Sequence, residues 1–202
     1  MDTKTLRKQI RQQRQALSDA EREHASFLLC EKLAASKQFQ QSKHIAFYLA
    51  NDGEINLSLL IKHAWQLGKK CYLPVLAEPN INKLWFIPYT SRTKLKLNRF
   101  GIAEPVHKRS MRLRKALSLD LILMPLVAFD TTGQRVGMGG GFYDRTLAFL
   151  NKRRVWFRPT LLGVAYELQK QTQLHNKSWD IPMQGVATEK EIYLSHSSLA
   201  KK

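Results

Sequence analysis

Acidic residues are scarce in this chain of 202 residues: 16 Asp and Glu stand against 33 Lys and Arg, a formal charge of +17. That imbalance favours anionic partners such as nucleic acid, nucleotides or polycarboxylates, without choosing among them. Cysteine is scarcer still. Cys30 and Cys71 are the only two, too few for a disulfide framework and suited to a reducing compartment. No apolar run approaches the roughly 20 residues of a membrane span, and the N-terminus lacks a signal-peptide core, so a soluble, cytoplasmic protein is expected. Histidines 24, 44, 63, 107, 175 and 196 show no zinc spacing, and neither cysteine has a neighbour to ligate with. Ser-His-Asp chemistry lacks its G-x-S-x-G elbow. Neither standard phosphate motif occurs: G-x-x-x-x-G-K-[ST] is absent, and the G-x-G at Gly137 and Gly139 has Phe142 in place of a third glycine. Repeats and low-complexity segments are absent too.

What the chain does have is LDLILMPLVAFDTTGQRVGMGGGFYDRTLAFL at 119 to 150. The apolar run from Leu119 to Phe129 reads as a buried strand by its length and composition. A loop carrying Gly133, Gly137, Gly139, Gly140 and Gly141 follows, and a short helix is expected from Phe142. Glycines let backbone N–H groups approach a ligand closely, and free N–H groups where a helix begins favour phosphate. Asp144 in the first turn suits the helix dipole and could hold a phosphate-bound Mg2+. A flexible turn with an acidic cap explains the same residues, so two readings of the loop stand side by side.

Around this centre the pattern alternates. Residues 3 to 17 predict a helix with Leu6, Ile10 and Leu17 on one face and Lys4, Arg7, Lys8, Arg11 and Arg14 on the other, solvated face. Ser18 and Glu21 form a capping-box pattern that starts a second helix, to about Ser36, giving an N-terminal helical hairpin. His44 to Ala50 reads as a strand, 51 to 54 (NDGE) as a turn, 57 to 67 as a helix stopped by Gly68, and 71 to 75 as a parallel strand. Glu54 lies past the end of the first strand, at the sheet edge where ligands of open α/β sheets bind. Residues 84 to 89 suggest an edge strand because of Pro88, 160 to 166 a further strand, and 179 to 182 (WDIP) a turn. The basic run at 107 to 115 is expected to be an exposed loop. Length requires no more than one domain, 1 to 202, and an RNA-binding protein remains compatible with the charge.

The order and spacing of KTLRK (4 to 8), FYLANDGEI (47 to 55), GKKCYLPV (68 to 75), FGIAEP (100 to 105), LILMPLVAFD (121 to 130), GQRVGMGGGFYDRTL (133 to 147), GVAY (163 to 166) and WDIP (179 to 182) resemble the 5-formyltetrahydrofolate cyclo-ligase family. The resemblance implies an α/β fold, a mixed and mostly parallel sheet flanked by helices, akin to the sugar-phosphate isomerase and CoA-transferase-like superfamily. It also implies ATP- and Mg2+-dependent closure of 5-formyltetrahydrofolate, in free or polyglutamylated form, to 5,10-methenyltetrahydrofolate. By motif match, Lys4, Arg7 and Lys8 would contact ATP, with Arg135, Gly137, Met138, Gly139, Gly140, Gly141, Phe142 and Tyr143 cradling its phosphates. Arg135, Tyr143 and Asp144 would stand at the reacting atoms, and Asp144 with Asp180 would hold Mg2+. Leu49, Glu54, Phe100, Met138 and Phe142 would border the folate, with Glu54 accepting pterin N–H groups. Some family members carry a basic residue where Met138 or Gly140 stands, and many have Tyr at Phe142. The charge opposite the γ-phosphate is therefore expected from Arg135, Arg145 or the first helix. A monomer without specific nucleic-acid or membrane partners is implied, and a non-catalytic folate-binding regulator would share the binding residues but not turnover.

Overall fold

The computed structural model describes residues 2–78, 81–107, 115–150, 159–174 and 180–195. Most of the basic run, and Trp179 of the WDIP turn, lie outside them.

Two capped helices open the chain. In α1 (Thr3–Ala16) the Asp2 carboxylate accepts from the N–H groups of Lys4 (2.8 Å) and Thr5 (3.1 Å). In α2 (Asp19–Ala35) Ser18 and Glu21 form the expected reciprocal box, Ser18 N–H donating to Glu21 Oε2 at 2.8 Å. A third helix, α3 (Lys37–Gln41), was not foreseen; Ser36 ends α2 and caps α3, its hydroxyl accepting from Phe39 N–H. α4 (Ser58–Gln66) fulfils the helix expected before Gly68.

The main sheet orders seven strands as β11-β10-β9-β6-β1-β2-β3. They are β1 (His44–Ala46), β2 (Lys70–Glu78), β3 (Ile81–Tyr89), β6 (Leu121–Pro125), β9 (Thr160–Val164), β10 (Gly185–Ala187) and β11 (Ile192–Leu194). The five central strands are parallel, whereas β3 and β11 run antiparallel at the edges. The mixed, mostly parallel sheet is thus as expected, with Pro88 on an edge strand. From β1 the chain proceeds to β2 on one side, while β6, β9 and β10 extend the sheet on the other. This reversal makes β1 and β6 a topological switch point, where loops leaving the carboxyl ends part and open a crevice. The loop after β1 leads to Glu54, and the one after β6 leads to the glycine loop.

Two strand expectations are corrected. β1 is three residues long rather than seven, because only 44 to 46 pair with β2, and of these only Ile45 and Ala46 pair with β6 as well. Phe47, Tyr48 and Leu49 continue extended towards the turn. The run from 119 to 129 is two strands: β6 ends at Pro125, and β7 (Ala128–Phe129) pairs instead with β8 (Arg135–Val136) in a separate ribbon. A buried apolar run carries no sign of where the chain changes sheets. α1 packs Leu6 and Ile10 against Val127, Ala128 and Val136 of that region. A small hairpin, β4 (Leu95–Leu97) and β5 (Ala103–Pro105), holds Phe100 at its tip. No described helix is long and apolar enough to cross a membrane, and both cysteines are buried and free, as expected.

The loop's first glycine has a packing role. Gly133 is buried with φ +92°, and a Cβ there would meet the Met183 carbonyl oxygen at 2.5 Å. Asp130 fixes the same turn, its Oδ1 accepting from the N–H groups of Thr132 (3.0 Å) and Gln134 (3.2 Å). Gly133→Ala should therefore lower stability by about 2–3 kcal/mol or more, from strain and clash together. Urea denaturation should detect it, and a midpoint equal to that of the parent protein would refute the packing role.

Candidate active site

The rest of the loop is built differently. An added Cβ at Gly137 would meet no heavy atom within 4 Å, so the loop is open there, whereas one at Gly140 would meet the Phe142 ring at 2.7 Å. Gly139 has φ +101°, which side chains rarely adopt, and a Cβ there would lie 3.7 Å from Arg7 Cζ. Arg7 Nε donates to the Gly137 carbonyl at 2.7 Å. Arg145 Nη1 donates to the Gly140 carbonyl at 2.6 Å. Gly141 caps α5 (Phe142–Leu147) in the left-handed conformation. The loop from 137 to 141 thus sits between the guanidinium groups of Arg7 and Arg145. Lys4 and Lys8 are exposed on α1 and make no hydrogen bond to the loop among the described residues.

Below the loop, Arg135 joins two distant segments. Its Nη2 pairs with Asp144 Oδ1 at 2.5 Å, and its Nη1 donates to the carbonyl of Ile181. Ile181 N–H donates to the same Asp144 oxygen at 3.2 Å. The backbone N–H that follows Asp180 therefore lies on Asp144, so the chain segment carrying Asp180 passes Asp144. Asp144 Oδ2 makes no hydrogen bond among the described residues, and the Asp144 side chain is 23% accessible. A hard carboxylate oxygen of this kind suits Mg2+, which binds proteins through one or two carboxylates and keeps several waters. No described cluster of three or more His, Cys, Asp or Glu could form a closed metal cage.

The other side is organised by the 51–54 turn. Asp52 and Gly53 adopt φ of 51° and 70°. Tyr48 OH donates to the Ile55 carbonyl at 2.8 Å, and Asn51 N–H donates to Glu54 Oε2 at 3.1 Å. Burial lifts the Glu54 carboxyl to about 7; Arg14 and the Asn51 N–H oppose the rise, and Asp52 adds to it. Burial also raises the phenols of Tyr48 and Tyr143, and the Glu54 charge adds to both. α5 thus carries, at adjacent positions, Tyr143, whose phenol feels the Glu54 charge, and Asp144, which pairs with Arg135. Leu49 packs partly buried against the core beneath the turn. Phe100 reaches across from its hairpin to meet Phe142 edge-on, ring centroids 5.8 Å apart. Met138 is exposed beside them.

The model of the 5-formyltetrahydrofolate cyclo-ligase family matches residues 1–189. The chain belongs to that family. The cyclo-ligase of Escherichia coli K12 is 37% identical over 185 residues, covering 91% of this chain and 98% of that protein. The Haemophilus influenzae cyclo-ligase is 38% identical over 181 residues, 88% and 92% of the two chains. Among solved structures, the 5,10-methenyltetrahydrofolate synthetase of Aquifex aeolicus superposes with a TM-score of 0.80 at 32% identity, over 97% of this chain and 94% of that one. The family resemblance carried by the sequence motifs is therefore borne out.

One assignment is corrected. Arg14 is not on the solvated face of α1; its side chain is 1% accessible, with Nη2 on Asp52 Oδ2 at 2.9 Å. The signal was present in the spacing: Leu6, Ile10 and Arg14 form an i, i+4, i+8 series that continues the buried stripe. Asp52 also takes Arg11 Nε at 2.6 Å and an amide hydrogen bond from Gln15. Burial works against its ionisation, but these donors hold its carboxyl below the usual range. A cleft of about 770 Å³ opens between α2 and the turn, lined by Arg22, Phe27, Asn51, Glu54 and Tyr166 among others. The glycine loop contributes nothing to its wall, and phosphate chemistry needs the cations at the loop rather than this roomier space.

Proposed function

We propose that the chain closes 5-formyltetrahydrofolate to 5,10-methenyltetrahydrofolate with consumption of ATP, in the cytoplasm. The observation that carries this reading, beside family membership, is the arrangement on α5 and its loop. Arg7 and Arg145 hold the glycine loop by the Gly137 and Gly140 carbonyls, Arg135 pairs with Asp144, and Tyr143, next to Asp144 on the helix, lies within electrostatic reach of Glu54. A phosphate-binding side and a pterin-binding side thereby meet at one short helix.

A formamide carbonyl is a poor electrophile, and its oxygen is a poor leaving group. Transfer of the γ-phosphoryl group to the formyl oxygen, with ADP leaving, gives an imidate-like phosphate. Folate N10 then attacks the formyl carbon, the C–O bond to phosphate breaks, and N10 gives up its proton. Charge neutralisation and positioning are the protein's tasks in such a transfer. Arg7, Arg145 and Arg135 supply positive charge where some relatives place a basic residue at Met138 or Gly140. The loop's backbone from Gly137 to Gly141 lets phosphate oxygens approach closely. Asp144 and Asp180 would hold Mg2+, which when bound neutralises phosphate charge. Glu54 accepts N–H groups of the pterin, Leu49 and Tyr143 line the ring, and Phe100 with Phe142 and Met138 closes over it. Lys4 and Lys8 contribute long-range attraction to the anionic nucleotide rather than a fixed contact.

Pure protein with Mg2+, ATP and 5-formyltetrahydrofolate should produce the absorbance of methenyltetrahydrofolate and release ADP and phosphate in equal amounts. Folate binding without any turnover would instead point to a non-catalytic regulator and would overturn this reading.

A further inference from the structure

Arg14 has no role in the reaction as argued so far, yet it is the most deeply buried arginine near the site. Burying a guanidinium is costly unless its charge is used. Its Nη2 holds Asp52, and its backbone oxygen and Cγ lie against Gly53, where an added Cβ would sit 3.4 and 3.6 Å away. Arg14 Nε has no hydrogen-bond partner among the described residues. The turn that carries Glu54 therefore rests on Arg14 through both side chain and backbone. Arg7 and Arg14, seven residues apart, lie on nearly the same line of α1. One helix so places one arginine on the glycine loop and another under the pterin acid.

α2 lines the same cleft as Glu54 with Asp19, Arg22 and Glu23, and further charged or titratable groups surround Glu54 from the other elements. They are Arg14 from α1, Asp52 from its own turn, Tyr48 after β1, Tyr143 from α5 and Tyr166 after β9. Arg14 is the strongest of these in favour of the ionised form, ahead of the Asn51 N–H, and the others either oppose it or share its desolvated surroundings. A carboxylate that is to accept two N–H groups must be ionised, since its acid form would offer one of them a hydroxyl.

We propose that Arg14 is the positioning residue of the pterin site: through its side chain on Asp52 and its backbone against Gly53 it clamps the 51–54 turn and so aims Glu54. This rests on the reading that Glu54 receives the pterin. Without the cation the carboxyl titrates higher, so its acid form persists to higher pH and folate binding is lost earlier on acidification.

Calorimetric binding of 5-formyltetrahydrofolate without ATP, from pH 6 to 9, tests it. Parent affinity should fall as pH drops through the titration of Glu54. In Arg14→Gln the fall should move up by about one pH unit or more, leaving binding about fivefold weaker near pH 7 and about tenfold weaker at pH 6 and below, while affinity for a non-hydrolysable ATP analogue is unchanged. Arg14→Lys keeps the charge without the planar clamp and should bind more weakly at every pH with the midpoint unmoved. A parent-like profile in Arg14→Gln would overturn the proposal. Should that variant fail to fold, parent-like affinity of Arg14→Lys throughout would overturn it equally. Glu54→Gln separates the two levels of the argument. If it binds folate as the parent does, the pterin reading itself fails; if it binds weakly without pH dependence while Arg14→Gln behaves as the parent, only the role of Arg14 fails.

Discussion

Glu54→Gln is expected to bind 5-formyltetrahydrofolate about ten- to a hundredfold more weakly, the worth of hydrogen bonds to a charged acceptor, and yet to be the more stable protein at pH 8. Both effects come from one fact, that a carboxyl lifted to about 7 is ionised at pH 8 at a cost in folding energy. A group whose folded value exceeds its unfolded one contributes stability while protonated, and that contribution is lost as pH rises through the folded value. From the ordinary 4.5 to about 7, the difference amounts to about 3 kcal/mol as an upper bound. Gln removes the titration, so the variant's advantage should be small at pH 5 and largest above pH 8. Urea denaturation at the two pH values measures it. Equal stability of variant and parent at pH 8.5 would show that Glu54 is neither strained nor tuned, and equal loss of ATP and folate affinity would dissociate it from the pterin.

The sequence made some of this legible and hid the rest for physical reasons. Ser18 with Glu21, the stop at Gly68 and the Pro88 edge strand were readable because capping, left-handed glycine and the missing proline donor act within a few residues. The division of 119 to 129 between two sheets was not, because Leu126 and Val127 are as apolar and as buried as the strand residues on either side. α3 escaped for a similar reason: Ser36 serves two helices at once, and five residues leave no periodicity to count.

Within the site, the motif match collected Arg7, Glu54, Asp144 and the glycines, but it could not say how they divide the work. Only the geometry separates Gly133, a packing glycine, from Gly139, whose Cβ position lies against the Arg7 guanidinium. Arg14 follows its position on the helix rather than its charge. The stripe of Leu6 and Ile10 already pointed to burial, and a buried arginine on an apolar face calls for a carboxylate elsewhere in the chain. Asp52, 38 residues away, supplies it, a pairing that no local pattern could announce.

Asp144→Ala should abolish nearly all turnover and also weaken the fold, because Asp144 has two attachments. One oxygen pairs with Arg135, whose side chain is 7% accessible, and accepts from Ile181 N–H. The other is the one proposed to meet Mg2+. Truncation leaves a buried guanidinium without its counter-charge, at a cost of about 3 kcal/mol or more. Loss of a preorganised charge at a phosphoryl group commonly removes about a hundredfold or more from kcat. Lost activity alone would therefore not distinguish metal positioning from a damaged scaffold. Asp144→Asn keeps an acceptor for Ile181 and should retain the fold while raising the Mg2+ concentration needed for half-maximal rate. Combining it with Arg135→Gln removes both charges, so the double variant should recover much of the stability lost by Asp144→Ala without recovering turnover. If Asp144→Asn kept the parent's Mg2+ dependence, the carboxylate would belong to the scaffold alone, and the cation would have to be sought at Asp180 and the phosphates.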